Sequence, residues 1–300
     1  MGIRSLPFLK GKKGWQFAGG GLSADGGGNV PIATDSTVGI VQPDGSTITV
    51  DSNGVISSHG FTVANNAGAH NAIYCGKSLG MSVSEAQYAS IQAGTFEGMF
   101  IGDYWTIDNV TYRIAAFDYW FNTGDTACTV HHVVIVPDEN FTAQKMNTEG
   151  VTTGGYVGSE MYTTNINDVK TAINTAFGSL HILSHREYLI NAVSNGRPSS
   201  GDWYNSTIDL MNEQMVYGGF MFESANDGNT LPTKQTIDKT QLPLFAFNPS
   251  KICNGDAWWL RSIASSSKFA GVNAYGLASY HHASNAYGIR PAFAIYQPTI

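Results

Sequence analysis

Charge is the scarcest property of this 300-residue chain: only 13% of its residues are Asp, Glu, Lys or Arg, about half the usual roughly 25%. With 16 basic against 23 acidic residues the net charge is −7. Nucleic acid is therefore not expected as a partner, because neutralising phosphates needs clustered Lys and Arg. Cysteine is nearly as scarce. Cys75, Cys128 and Cys253 are odd in number and far apart, which gives neither a disulfide framework nor a Cys-x-x-Cys zinc pattern. No apolar run approaches the roughly 20 residues of a membrane span. Residues 1–13 carry basic side chains without a following apolar core, so no secretory signal is expected there and synthesis in a cytoplasm is.

Recognisable chemistry is lacking too. His131 and His132 are adjacent, so on a strand they point to opposite faces and cannot share a metal. His181 and His185 have the i, i+4 spacing of a zinc chelate, but a helix start at Ser184 leaves His181 outside the helix. No Gly-x-Ser-x-Gly elbow and no Walker loop occur. The expectation is a binding protein without catalytic residues, metal or cofactor.

What is abundant is Gly, at 34 residues, together with Ser, Thr and Asn. Residues 1–33 hold Gly19-Gly20-Gly21 and Gly26-Gly27-Gly28 and are expected to be an attachment segment, a tether or a part ordered only on a partner. Over residues 34–60, β-branched runs alternate with Asp44-Gly45 and Asn53-Gly54, the signals of a small three-stranded meander. Such a unit is too small to be stable alone, so it is expected to trimerise or dock.

A helical linker is expected over 61–95, its helix opened by a Ser82/Glu85 capping box. The main domain, 96–300, begins with a hairpin pattern at 104–107 and 110–114 around Asp108-Asn109. A buried strand is predicted over 129–136, ending at Pro137. Ile166, Val169, Ile173 and Phe177 at three- and four-residue steps predict a helix stopped by Gly178. Ser184 and Glu187 predict a second, to about Val193, and a third is predicted over 206–216. From Leu242 the pattern returns to short strands. The fold class is α+β.

The most informative stretch is 258–293. Trp258-Trp259-Leu260-Arg261 and Gly288-Ile289-Arg290-Pro291 bracket residues 262–287, which are dominated by Ser, Ala, Asn, Tyr, His and Gly with Lys268 as the sole formal charge. Tyr gives large contact area at low entropy cost, and Ser, Gly and Asn give adaptable hydrogen bonding, the composition of a recognition surface. Arg261 and Arg290 lie in apolar phrases and each needs a fixed carboxylate or carbonyl partner. With Trp258 and Trp259 they are expected to frame the segment.

These phrases resemble the C-terminal variable region of C-type-lectin-fold proteins diversified by retroelements in phages and gut bacteria. Gly154-Gly155-Tyr156-Val157-Gly158-Ser159-Glu160-Met161, Arg186-Glu187 and Asp209-Leu210-Met211-Asn212-Glu213 before Tyr217-Gly218 extend the resemblance over residues 96–300. In that family template adenines are randomised, chiefly in Asn codons, which admits Tyr, Ser, His, Ala, Gly, Phe, Leu, Ile or Asp but not Lys, Glu, Gln, Met or Trp. Within 262–287 only Lys268 departs from that restriction.

The resemblance implies a C-type lectin-like domain displaying a variable ligand-binding face. Its expected contacts are Ser265, Ser267, Phe269, Asn273, Tyr275, Leu277, Ser279, Tyr280, His282, Asn285 and Tyr287. It further implies a phage tail-fibre or receptor-binding protein, located on the virion tail and trimeric by analogy. Its partners would be a host-cell receptor, protein or glycan, and other tail proteins. A bacterial surface adhesin of the same fold is the alternative, and would need a signal peptide or lipobox. Formylglycine-generating enzymes share the fold, but their catalytic cysteine pair has no counterpart among three scattered cysteines. The calcium motifs of sugar-binding relatives are absent from the domain, since Gln42-Pro43-Asp44 falls in the meander.

Overall fold

The computed structural model describes residues 64–223 and 240–299, with the backbone of four short strands ahead of them. The chain divides into two compact units, Met1–Thr62 and Val63–Ile300. In the first unit β1 (Phe8–Gly11) pairs antiparallel with β2 (Gly14–Phe17), so the expected Gly-rich tether contains a hairpin. β3 (Ile48–Val50) pairs with β4 (Ile56–Ser58). These are two strands of the expected meander; its first, at 38–41, lies outside the described residues.

The second unit is α+β, mostly sheet with few helices. Residues 64–95 belong to it and are no free linker. The short helix α1 (Ala67–His70) is tied in by Asn71, whose side chain exchanges two hydrogen bonds with the Phe117 backbone. β5 (Ser78–Gly80) joins a sheet beside β6 (Tyr104–Ile107). Helix α2 (Glu85–Gln92) buries Tyr88 and Ile91. Its cap is Ser84, reciprocated by Gln87, two residues later than expected. Both letter pairs fit the capping-box pattern, and the one nearer the buried face forms it.

Two large sheets dominate. The six-stranded one has the order β12-β17-β8-β7-β6-β5, where β7 is Val110–Phe117, β8 is Val133–Pro137, β12 is Ile208–Leu210 and β17 is Pro291–Ile295. The five-stranded one runs β15-β14-β13-β16-β9, with β9 Phe141–Lys145, β13 Trp258–Ser265, β14 Lys268–Val272, β15 Ala278–His282 and β16 Ala286–Ile289. Consecutive strands change sheet at β8 to β9, at β12 to β13 and at β16 to β17. Helix α3 (Asn167–Phe177) buries Val169, Ile173 and Phe177. Phe177 meets Tyr112 and Phe293 of the six-stranded sheet edge-on, at ring distances of 4.9 and 5.2 Å.

Two predicted helices are corrected. The segment predicted as helix from Ser184 is β10 (His185–Ser194), paired with β11 (Arg197–Ser206) in a separate long hairpin. Asn195 and Gly196 have φ of 52° and 75°, the two positive values of a type I′ turn, which Asn-Gly favours. The segment 206–216 is β12 followed by one short helix, α4 (Glu213–Tyr217), capped by Asn212. After Leu242 a short helix, Pro243–Phe247, precedes the strands, which resume at Trp258.

The Gly-rich phrase 154–158 packs against β10. Gly155 has φ 62°, and a Cβ there would lie 2.4 Å from the Ile190 carbonyl. Gly155→Ala is therefore expected to destabilise the chain by more than about 1 kcal/mol, measured as a lower urea midpoint. An unchanged midpoint would mean that the 154–158 loop yields freely.

Candidate ligand-display surface

The display surface grows out of β13. Trp258, Trp259 and Leu260 are fully buried, and the indole N–H groups of the two tryptophans donate to the carbonyls of Ile252 (3.3 Å) and Gln144 (2.8 Å). Arg261 follows, buried, and forks onto Glu187 of β10 at 3.0 and 3.1 Å while also donating to the Leu210 carbonyl at the end of β12. At the far end of the segment Arg290 is buried where β16 crosses into β17. It donates to the carbonyls of Pro137 (2.8 Å) and Ile252 (3.3 Å) and lies over the rings of Trp258 and Phe245. Burial lowers its pKa to about 10, so it stays charged at neutral pH.

Between these clamps the chain makes three turns and the strands β14, β15 and β16, of which β15 is a sheet edge. Register decides which side chains share a side. Val272 pairs with Ala278, Ala270 with Tyr280 and Lys268 with His282, while Gly271 pairs with Ser279 and Phe269 with His281. Directly paired residues lie on one face, so these are two opposite faces.

The expected contact residues separate accordingly. Tyr275, Leu277 and Tyr280 are 83%, 63% and 46% exposed, and His282 and Asn285 are exposed as well. Ser265, Ser267, Ser279 and Tyr287 are half-buried. Ser265 accepts the Thr152 hydroxyl on its carbonyl, and the Ser267 carbonyl accepts the Ala283 N–H, so both serve the turn as much as the surface. Asn273 holds its turn from within: its Oδ1 accepts the N–H groups of Tyr275 (2.9 Å) and Leu277 (3.0 Å). Phe269 is a correction. It is fully buried opposite Ile263, as are Ala270 and Val272 on the other face of β14, because that strand lies inside the sheet between β13 and β15.

On one face, Lys268 lies 4.5 Å over the Tyr280 ring, and Phe222 meets that ring edge-on at 4.9 Å. On the other, the Tyr287 and His281 rings meet at 4.0 Å, tilted by 35°, and both flank Trp259 edge-on. Tyr287 also lines a groove of about 420 Å³ with Asn140, Phe141 and Asp256.

Met221, 58% exposed, and Phe222 belong to a strap that no sequence signal marked. The strap is held by Glu213, whose carboxylate accepts the N–H groups of Phe222 and Glu223, both at 2.9 Å. In the same buried cluster, burial alone would raise the Glu187 carboxyl, but the Arg261 charge together with the contacts of His185 and Arg261 outweighs it and holds the group well below the usual range. Burial first, and then the charge of Glu213, push Glu223 up to about 7.

His181 ends a 3-10 turn and His185 begins β10, so they do not form a helical chelate. His131 bonds Asp118 at 2.7 Å, and buried His132 accepts the Trp120 N–H. Among the described residues no group of three or more His, Cys, Asp or Glu is placed to hold a metal, and no helix is long and apolar enough to cross a membrane.

A family profile described as a domain of unknown function (DUF6273) matches residues 188–297. The matched block runs from β10 to just past β17 and so contains the whole display segment and most of its frame. No curated protein and no solved structure matches the chain.

Arg261→Met would leave Glu187 buried without its main counter-charge, and is expected to cost about 3–5 kcal/mol in urea denaturation. A loss comparable to an ordinary surface substitution would remove Arg261 from the frame. Glu223 gives a separate pH signature. Its folded pKa lies above its unfolded one, so stability is fully present below the unfolded value and falls as pH rises towards about 7. Glu223→Gln is expected to flatten that fall, and parallel stability profiles of the two proteins between pH 5 and 8 would contradict it.

Proposed function

We propose that this chain is a receptor-binding adhesin of a phage tail, displaying a diversified ligand face on a C-type lectin-like domain. Binding is its mechanism. The observation that carries this is the exposure of Tyr275, Leu277, Tyr280 and His282 on turns and an edge strand whose two ends are clamped by buried arginines. Side chains there can change without touching the core, where surface substitutions usually stay within about 0.5 kcal/mol. A nearly uncharged, Tyr-rich face of this kind offers broad contact area with little desolvation cost.

By the same resemblance the first unit attaches the domain to the virion and assembles it as a homotrimer. Many copies per particle would raise weak single-site affinity by roughly 10² to 10⁴.

Combined Tyr275→Ser, Leu277→Ser, Tyr280→Ser and His282→Ser is expected to leave the folded spectrum intact and abolish adhesion of the purified chain to host cells. Undiminished adhesion would sink the proposal. Diversification itself is read from sister copies of the gene, which are expected to differ within 262–287 and beside which a reverse transcriptase and a template repeat should lie. Differences spread evenly along the chain would count against it.

A further inference from the structure

β15 is the last strand of its sheet. The Asn273 N–H donates to the Leu277 carbonyl and the Ala283 N–H to the Ser267 carbonyl, both at 2.9 Å. Residues 277 and 283 therefore turn their backbone groups inward to the β14 side, and by alternation so do 279 and 281. Ala278, Tyr280 and His282 turn theirs outward. Of these outward groups, among the described residues, only the His282 carbonyl has a backbone partner, the Asn285 N–H. What remains is a row of donors and acceptors repeating every two residues, about 6.8 Å apart.

Other sheet edges are blunted in the ways proteins use against stray pairing. At β12 the Leu210 N–H donates to the Tyr156 hydroxyl and the Leu210 carbonyl accepts from Arg261. At β9 the Lys145 carbonyl accepts from Asn165. β10 is met by Val157 and Thr153. β11 carries Arg197, Pro198 and Asp202, and β5 has three residues. β15 has five residues, Ala-Ser-Tyr-His-His, with no proline and no Asp, Glu, Lys or Arg.

We propose that β15 is a docking edge for an extended segment of a protein receptor, which adds to the sheet as a sixth strand. The occupant is fixed by the outward groups: alternating N–H and C=O at strand spacing match another peptide backbone, whereas a sugar offers no such repeat. Side chains on its two faces would meet different surroundings. One face carries Tyr280 with Phe222 against it, Lys268 over the Tyr280 ring and exposed His282; the other presents Ser279 and His281, with Leu277 in the same phase just before the strand. A bound segment alternating aromatic or acidic residues with small polar ones fits both. This deepens, and rests on, the adhesin proposal. In strand addition the main-chain bonds give affinity and the flanking side chains give specificity, so the edge would persist while residues 262–287 change.

The test selects short random linear peptides on the full-length chain, then resynthesises the enriched ones with N-methyl groups on alternate backbone nitrogens. One phase is expected to weaken binding by at least about tenfold and the other to leave it nearly unchanged, since only every second amide of an added strand faces the edge. Equal effects of both phases would overturn the proposal. On the protein side, Ala278→Pro deletes one outward amide without touching the inner ladder, a change edge strands tolerate, and is expected to lose these peptides while Ala278→Thr keeps them. If the proline variant does not fold, the N-methyl series decides alone. Adhesion to host cells without any enriched peptide overturns strand docking and spares the adhesin proposal, pointing to glycan. Absence of both removes the two together. A concentration-dependent dimer that Ala278→Pro dissolves would overturn the proposal in favour of a second copy at the edge.

Discussion

Taking a guanidinium out of water costs several kcal/mol unless its donors are met; of the buried arginines Arg113, Arg261 and Arg290, the last two flank the candidate segment. Arg290 sits at the crossing from β16 to β17 and binds the end of β8, just before the crossing to β9. Arg261 ties β13 to β12 and, through Glu187, to the β10–β11 hairpin. The display segment begins one residue after the first clamp and ends three residues before the second. Its ends therefore have one position relative to the core, whatever lies between them.

Neighbouring acids make the Arg261 clamp more delicate than the Arg290 clamp. Arg290 meets neutral carbonyls and aromatic faces, while Arg261 stands among Glu187, Asp209 and Glu223, with Glu213 beside Glu223. Only Glu187 is paired strongly enough to be held well below its ordinary range. Glu223 sits near neutrality, at the end of the strap that carries Phe222 onto Tyr280. The strap thus links a titrating buried group to the edge of the display face.

How much of this was legible depended on whether a signal had one meaning or two. The bracketing phrases, the α3 stripe and the 104–114 hairpin each had one. Ser184 and Glu187 had two, since a capping-box spacing also occurs by chance on a strand entry. Asn195-Gly196 likewise suits a helix end as well as the type I′ turn that it makes. Around the site, composition marked the segment but not its phase. Nor did it mark which strand lies inside the sheet and which at its edge, which is why Phe269 on β14 belongs to the core and Tyr280 on β15 to the surface. Glu213 and Met221 come from α4 and the strap, which only folding brings beside the segment.

Asn273 adds a consequence of its own. By accepting the amides of Tyr275 and Leu277 it sets the shape of that loop from a single side chain, leaving the two neighbours free of any structural duty. On the proposed reading, positions 275 and 277 are interchangeable letters on a rigid key, while 273 is part of the key's blank. The repertoire of such a surface would be set by how many of its residues are released in this way, and not by the length of the segment that contains them.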